Sequence, residues 1–122
     1  GIYPMSRAQA IPPEYLKRYC LKGVGELDGL LQVKPELQTN VSFRCINLNA
    51  RLPADLPTFD LIFLRNILIY FDTSGKKAIV ENVLSRLKKG GFLFIGHSES
   101  LYGLDLPVTS CGSAVYYHES GV

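Results

Sequence analysis

The sequence contains few cysteines, and their spacing fits neither a disulfide framework nor a metal site. Only three occur in 122 residues, Cys20, Cys45 and Cys111, and no two form a C-x-x-C pair. A sparse, odd set is typical of a reducing compartment, whereas small secreted domains carry dense sets. We therefore expect a cytoplasmic protein that binds no metal through these residues.

The sequence also has little excess charge and no long apolar run. Thirteen basic and eleven acidic residues give a net charge of +2, and no stretch concentrates Lys and Arg beside stacking aromatics, as nucleic-acid-binding domains do. A membrane span needs about 20 mostly apolar residues, and a signal peptide needs a charged and then apolar start. Neither pattern is present, so we expect neither nucleic-acid binding nor membrane insertion.

The composition that is present describes a small globular domain, with 47% hydrophobic and 20% charged residues. The opening residues Gly-Ile-Tyr-Pro contain no initiating Met and predict no strand. We interpret this opening as the middle of a longer chain.

The most informative stretch is residues 59–72, with the sequence F-D-L-I-F-L-R-N-I-L-I-Y-F-D. Its continuous apolar run at 61–64 is typical of a central parallel strand that is buried on both faces. Arg65 and Asn66 follow directly. Because ligands of open α/β sheets bind beyond the carboxyl ends of strands, we expect this pair at a ligand site, with an ordinary loop cap as the alternative.

A helix and a second strand are predicted next. One of residues 72–74 can cap a helix that is predicted to end at Gly90-Gly91, and residues 92–95 form a second apolar strand before a polar turn at 96–99. This strand-helix-strand order predicts an α/β fold with a parallel sheet. The apolar positions that follow the helical period are Ile79, Val80, Val83, Leu84 and Leu87.

The rest of the chain gives weaker signals. Pro13 predicts the start of a helix over residues 14–20, with Gly23 as its terminator. Residues 30–33 and 41–48 are strand-like, and a turn at 36–40 would join them into a hairpin. Residues 51–57 read as a loop, and Val108 with residues 114–117 predict closing strands.

Five segments carry a resemblance that spans nearly the whole chain. They are L-K-R-Y-C-L-K-G at 16–23, I-N-L at 46–48, L-R-N-I-L-I-Y-F-D at 64–72, L-K-K-G-G-F-L-F-I-G-H-S-E at 87–99 and V-Y-Y at 115–117. In this order and spacing they resemble the CheR family of chemotaxis receptor methyltransferases, which use S-adenosylmethionine to methylate glutamate side chains.

The resemblance implies an α/β fold: an incomplete Rossmann-like methyltransferase sheet with its first two strands missing, plus a small antiparallel β insertion. Residues 1–122 would then be the C-terminal part of the catalytic domain. The family's glycine-rich cofactor loop and its ribose-binding acidic residue are absent. Gly23-x-Gly25 does not replace the loop, because it follows a predicted helix rather than a strand.

The resemblance also assigns site residues. It places Asn47, Leu48, Arg65 and Asn66 against S-adenosylmethionine, and it places the hydroxyl of Tyr70 in the methyl-transfer site as the catalytic candidate. The alternatives are a turn cap for Asn47 and a packing role for Tyr70.

His97, Ser98 and Glu99 suggest a hydrolase triad at first sight. Three consecutive residues on one turn cannot easily adopt that geometry, and no G-x-S-x-G elbow is present. We instead expect these residues to shape the rim of the active-site cleft, with Glu99 as a turn or cap residue.

The implied partner is a methyl-accepting chemoreceptor, whose C-terminal tail would dock on a β-subdomain at residues 19–33; a glycine-rich surface loop is the alternative there. We expect the chain alone to be inactive and to self-associate through open strand edges. The competing function is a non-catalytic CheR-like module for protein binding or signalling.

Overall fold

A computed structural model describes residues 1–119, and the chain divides into two compact units, Gly1–Arg44 and Cys45–Val122. No helix among the described residues is long and apolar enough to span a bilayer. The two units are described separately.

The first unit is a three-stranded antiparallel sheet with two helices. Strand β1 spans Ile2–Pro4, helix α1 spans Pro13–Tyr19, β2 spans Cys20–Lys22, β3 spans Leu30–Val33 and α2 spans Pro35–Gln38. The strand order is β1-β3-β2, so β3 lies in the centre of this sheet. The predicted strand at residues 30–33 is confirmed.

The predicted helix after Pro13 is confirmed with its bounds shifted by one residue, and two predictions for this unit are wrong. Strand β1 was not expected; it has only three residues and includes Pro4, which edge strands tolerate but which gives no strand signal. Helix α1 ends at Tyr19, because Cys20 is already extended, with φ −123° and ψ 155°, and begins β2. Gly23 therefore follows a strand and does not terminate the helix.

The predicted hairpin between residues 30–33 and 41–48 does not form. Helix α2 occupies the expected turn, and residues 41–47 have no regular structure. Neither sheet formed by residues 1–119 includes this stretch, and Phe43 is 88% exposed. Strand-like alternation alone does not make a strand, because each residue also needs backbone partners.

The second unit contains a mixed four-stranded sheet. Strand β4 spans Phe59–Leu64, helix α3 spans Thr73–Leu84, β5 spans Leu87–Ile95, β6 spans Val108–Gly112 and β7 spans Val115–His118. The order is β4-β5-β7-β6, with β4 parallel to β5 and the other pairs antiparallel. The predicted parallel strand-helix-strand arrangement and the closing strands are confirmed.

The core of this unit lies between α3 and one face of the sheet. Asp72, one of the three predicted cap candidates at residues 72–74, caps α3, because its Oδ1 accepts a hydrogen bond from the backbone N–H of Gly75 at 2.8 Å. Ile79 and Val80 on the helix are fully buried, as is Leu93 on β5. The other buried members of the cluster are Leu64, Leu68, Val83, Leu84, Leu87, Ile95, Leu101 and Leu104.

Helix α3 is shorter than predicted. It ends at Leu84, and Leu87 opens β5 by pairing with Phe59. Leu87 is buried in the same core. The helical period therefore predicted its burial correctly but its backbone conformation wrongly. Gly91 belongs to β5, where a Cβ atom would lie 2.8 Å from the carbonyl oxygen of Asp60. This close approach requires glycine in the strand.

Strand β4 is an edge strand of the described sheet, contrary to the prediction of a central strand buried on both faces. Leu64 is buried, whereas Leu61 is 46% and Phe63 is 67% exposed. The ring of Phe63 stacks on that of Phe94 with centroids 4.8 Å apart. The apolar run therefore describes a strand with two apolar faces, of which the described residues cover one.

Strand β7 ends in a buried polar side chain, His118. Its Nδ1 lies 3.0 Å from the carbonyl oxygen of Leu87, and its Nε2 lies 3.3 Å from Nζ of Lys89. Both partners are on β5, so the imidazole fastens the end of β7 to the start of β5.

Candidate functional site

Two polar segments meet at the carboxyl ends of β4 and β5. Residues 65–70, called here the Arg65 segment, follow β4, and residues 96–99, the Gly96 turn, follow β5. Because Leu64 pairs with Ile95 in parallel register, the two segments leave the sheet side by side. This is the edge at which α/β proteins place their ligands.

The carboxylate of Glu99 joins the two segments. Its Oε2 accepts hydrogen bonds from the backbone N–H of Gly96 at 2.6 Å and of Asn66 at 3.1 Å. Its Oε1 is buried and makes no hydrogen bond within residues 1–119. The expectation that Glu99 serves as a turn or cap residue is confirmed by this geometry.

The ionisation of Glu99 reflects the same contacts. Burial alone would raise the pKa of its carboxyl, but the backbone N–H groups of Gly96 and Asn66 stabilise the anion and outweigh that effect. The N–H groups of Leu68 and Ile69 act in the same direction, so the pKa of Glu99 lies below its ordinary value of 4.5.

The backbone of both segments is adapted to this contact. Asn66 adopts a left-handed conformation with φ 58°, which Asn tolerates better than most residues. A Cβ atom on Gly96 would lie 2.6 Å from Oε2 of Glu99 and 3.1 Å from Oδ1 of Asn66. Glycine at position 96 is thus what lets the carboxylate and the Asn66 side chain approach the turn.

The structure places three predicted site residues on the Arg65 segment. Arg65 and Asn66 are exposed at the carboxyl end of β4, and neither lies beneath a helix. Tyr70 ends a short 3-10 turn that begins at Leu68, and its side chain is 79% exposed. Leu68 itself is 1% exposed and anchors the segment in the core.

Asn47 and Leu48 lie on a different turn, residues 47–50, called here the Asn47 turn. Oδ1 of Asn47 accepts a hydrogen bond from the backbone N–H of Asn49 at 2.9 Å, which is the turn-capping geometry weighed against cofactor contact. Leu48 is half-buried, and its carbonyl oxygen accepts a hydrogen bond from Nδ2 of Asn82 at 2.9 Å.

Asn82 is a structural contributor that the sequence did not reveal. Its Nδ2 also donates to the carbonyl oxygen of Ala50 at 3.1 Å, so one amide on α3 holds both ends of the turn. The only available signal was a polar residue directly before the buried Val83 on a helix.

An apolar groove of about 290 Å³ lies beside β4. Ile46 and Leu48 line one part of it, and Ile62 and Phe63 line another. The groove brings Leu48 close to β4, but Asn47, Arg65 and Asn66 do not line it. Residues 1–119 contain no group of three His, Cys, Asp or Glu side chains placed to hold a metal ion.

Comparisons with known proteins match a range of the chain that includes all the candidate site residues. The family described as CheR methyltransferase, SAM binding domain, matches residues 1–117. The chain is 38% identical over 116 residues to the chemotaxis protein methyltransferase of Escherichia coli K12, covering 95% of this chain and 41% of that protein.

Two further relatives agree. Chemotaxis protein methyltransferase 2 of Pseudomonas aeruginosa is 38% identical over 119 residues, with 95% of this chain and 41% of that protein covered. The chemotaxis protein methyltransferase of Borreliella burgdorferi is 40% identical over 104 residues, with coverages of 84% and 35%. The chain spans about two-fifths of the length of the Escherichia coli and Pseudomonas aeruginosa relatives.

Proposed function

The chain belongs to the CheR methyltransferase family, as its motifs predicted, and from this we propose that the protein carrying it is an S-adenosylmethionine-dependent protein-glutamate O-methyltransferase that acts on chemoreceptors in the cytoplasm. The observation that carries the proposal is the family match over residues 1–117, which includes the Arg65 segment and the Gly96 turn. The names of the relatives, chemotaxis protein methyltransferases, support the same activity.

The proposed cofactor contacts are Asn47, Leu48, Arg65 and Asn66. Arg65 and Asn66 suit this role because both side chains are exposed at the carboxyl end of β4. An Asn amide offers both a donor and an acceptor, as the edge of an adenine ring requires. Half-buried Leu48 supplies an apolar surface.

The proposed chemistry needs no general base. When bound, S-adenosylmethionine would supply an electrophilic methyl group on its sulfonium for transfer to the substrate carboxylate, with the neutral thioether as the leaving group. A glutamate with an unperturbed pKa of about 4.3 is already ionised at neutral pH. Alignment alone can supply roughly 7 to 11 kcal/mol. The exposed hydroxyl of Tyr70 is the candidate that orients the carboxylate.

The incomplete sheet is part of the proposal. We take β4 to be an inner strand of a Rossmann-like sheet whose first two strands lie outside residues 1–122, because its exposed face is apolar. The isolated chain would then lack part of the cofactor site, transfer no methyl group at an appreciable rate, and self-associate through the open edge of β4.

Receptor tails would dock on the β-subdomain at residues 19–33, where β2 is an edge strand.

The test is a transfer assay with the full-length protein, radiolabelled S-adenosylmethionine and cytoplasmic receptor fragments. We expect base-labile label on receptor glutamates, and much slower labelling by the 122-residue chain alone. Receptor fragments with these glutamates replaced by Ala serve as the control. Receptor binding without any labelling would overturn the enzyme proposal in favour of the non-catalytic signalling module.

The cofactor contacts need their own test. Asn66→Ala in the full-length protein should weaken cofactor binding about tenfold, because one hydrogen bond is lost and its partner is left unpaired. Asn66→Gly removes the same side chain but accommodates φ 58°, so it separates this loss from backbone strain. Unchanged affinity in calorimetric titrations of both variants would remove Asn66 from the site.

A further inference from the structure

Glu99 connects the Arg65 segment to the end of β5 across 33 residues of sequence, although it is not among the candidate cofactor or catalytic residues. The carboxylate accepts from Gly96 at 2.6 Å and from Asn66 at 3.1 Å. Hydrogen bonds to an ionised acceptor are roughly twice as strong as those between neutral groups. The hydrogen bond from Asn66 to Glu99 is therefore a charge-assisted link between the two segments.

The Arg65 segment needs such a partner. Its second residue, Asn66, adopts a left-handed conformation, and its 3-10 turn leaves the first backbone N–H groups without partners inside the turn. The N–H groups of Leu68 and Ile69 lower the pKa of the Glu99 carboxyl, in the same direction as those of Gly96 and Asn66. One carboxylate oxygen thus accepts from Asn66 on the Arg65 segment as well as from Gly96 on its own turn.

We propose that Glu99 is a positioning residue: its carboxylate fixes the Arg65 segment to the Gly96 turn and thereby holds Arg65, Asn66 and Tyr70 in the geometry that the reaction uses. The inference rests on the proposed function, because these three residues are its candidate cofactor and catalytic groups. Glu99 acts through the backbone and touches neither substrate nor cofactor in this role.

The expected loss of cofactor affinity depends on the fraction of molecules in which the Arg65 segment is ordered. If the segment is ordered in only a fraction of molecules, the apparent affinity for the cofactor falls by that fraction. Losing charge-assisted hydrogen bonds of this kind corresponds to a factor of about ten to a hundred. The core anchor Leu68 remains in place, so the loss should be local.

The experiment compares three variants of the full-length protein. Glu99→Gln removes the charge and keeps the size, whereas Gly96→Ala keeps the charge but places a Cβ atom 2.6 Å from Oε2, which displaces the carboxylate. Glu81→Gln, on the exposed surface of α3, is the matched control. The readouts are calorimetric titration with S-adenosylmethionine, melting temperature, and backbone amide NMR signals of residues 65–70.

We expect Glu99→Gln and Gly96→Ala to weaken cofactor binding about tenfold or more, with altered amide signals confined to residues 65–70 and 96–99, while Glu81→Gln matches the wild type. Unchanged affinity and unchanged amide signals in both variants would overturn the inference. So would a loss of structure throughout the protein in both variants, which would make this contact a general stability element.

The two proposals can fail separately. If the wild type does not bind S-adenosylmethionine, the proposed function fails, and the amide signals of residues 65–70 alone decide whether Glu99 orders the segment. If the wild type binds and both variants bind equally well with unchanged amides, only the positioning inference fails. If Glu99→Gln does not fold, Gly96→Ala decides, because it retains every ionisable group.

Discussion

The Arg65 segment and the Asn47 turn both carry candidate cofactor residues, but they are held in different ways. The Arg65 segment follows a strand and is fixed by the ionised carboxylate of Glu99. The Asn47 turn follows an irregular stretch and is fixed by the neutral amide of Asn82. Both partners are more than 30 residues away in sequence. The difference teaches that the first segment depends on the state of one titratable group, whereas the second does not.

The largest expected effect comes from truncating Leu68, the side chain that anchors the Arg65 segment in the core. Leu68→Ala should lower the free energy of unfolding by about 2 to 5 kcal/mol, because Leu68 is 1% exposed and its truncation leaves a cavity. Chemical denaturation measures the loss. The matched control is Ile69→Ala, the next residue, which is 53% exposed and should change stability by less than about 0.5 kcal/mol. Equal losses in the two variants would mean that the segment is not anchored through Leu68.

The second expected effect is that acid loosens the Arg65 segment but not the Asn47 turn. The pKa of Glu99 is lowered in the folded protein, so its contribution is complete above the ordinary value of 4.5 and is lost as the pH falls through the lowered folded pKa. Amide NMR between pH 6 and pH 3 should show the signals of Asn66 and Gly96 changing, while that of Ala50 in the Asn47 turn keeps its position.

Asp72, whose carboxyl also has a lowered pKa, serves as an internal reference. Its pKa is lowered by the backbone N–H of Gly75 and the hydroxyl of Ser74, so the first turn of α3 should loosen as well. Glu99→Gln should abolish the pH dependence at Asn66 and leave that at Gly75. If Asn66 still titrates in the variant, Glu99 is not its partner.

The smallest effect concerns the Asn47 turn. Asn82→Ala removes two neutral hydrogen bonds and should cost about 1 kcal/mol, partly offset by the better helix propensity of Ala. Asn82→Asp should cost more, because a carboxylate would face two carbonyl oxygens. Thermal unfolding measures both variants. Equal stability of Asn82→Asp and the wild type would show that these contacts do not hold the turn.

The sequence predicted the elements whose signal is local. Strand β4, strand β3, the Asp72 cap and the buried positions of α3 all follow from runs, periods and caps. Leu87 shows the limit of periodicity, because a core residue fits a helix or a strand equally well. Residues 41–47 show a second limit, since strand formation depends on a neighbour that no local pattern specifies.

The candidate site also has features that could be predicted from the sequence and features that could not. Arg65 and Asn66 could be located from the end of an apolar run, and their exposure at the carboxyl end of β4 agrees with that prediction. Their assignment to a cofactor, like the catalytic role of Tyr70, stays a prediction. The links made by Glu99 and Asn82 could not be predicted in detail, because they join residues 33 and 34 positions apart whose proximity depends on the completed sheet.

The contacts of the buried His118 ring indicate which of its two nitrogens carries a hydrogen. A carbonyl oxygen only accepts and a lysine ammonium only donates, so the contacts with Leu87 and Lys89 place the hydrogen on Nδ1 and the lone pair on Nε2. The imidazole is thereby held as a single tautomer of fixed orientation. Nitrogen-15 labelling of the histidines would therefore give, for this ring, one pyrrole-type and one pyridine-type resonance, an intrinsic spectroscopic marker of the closed β5–β7 pair.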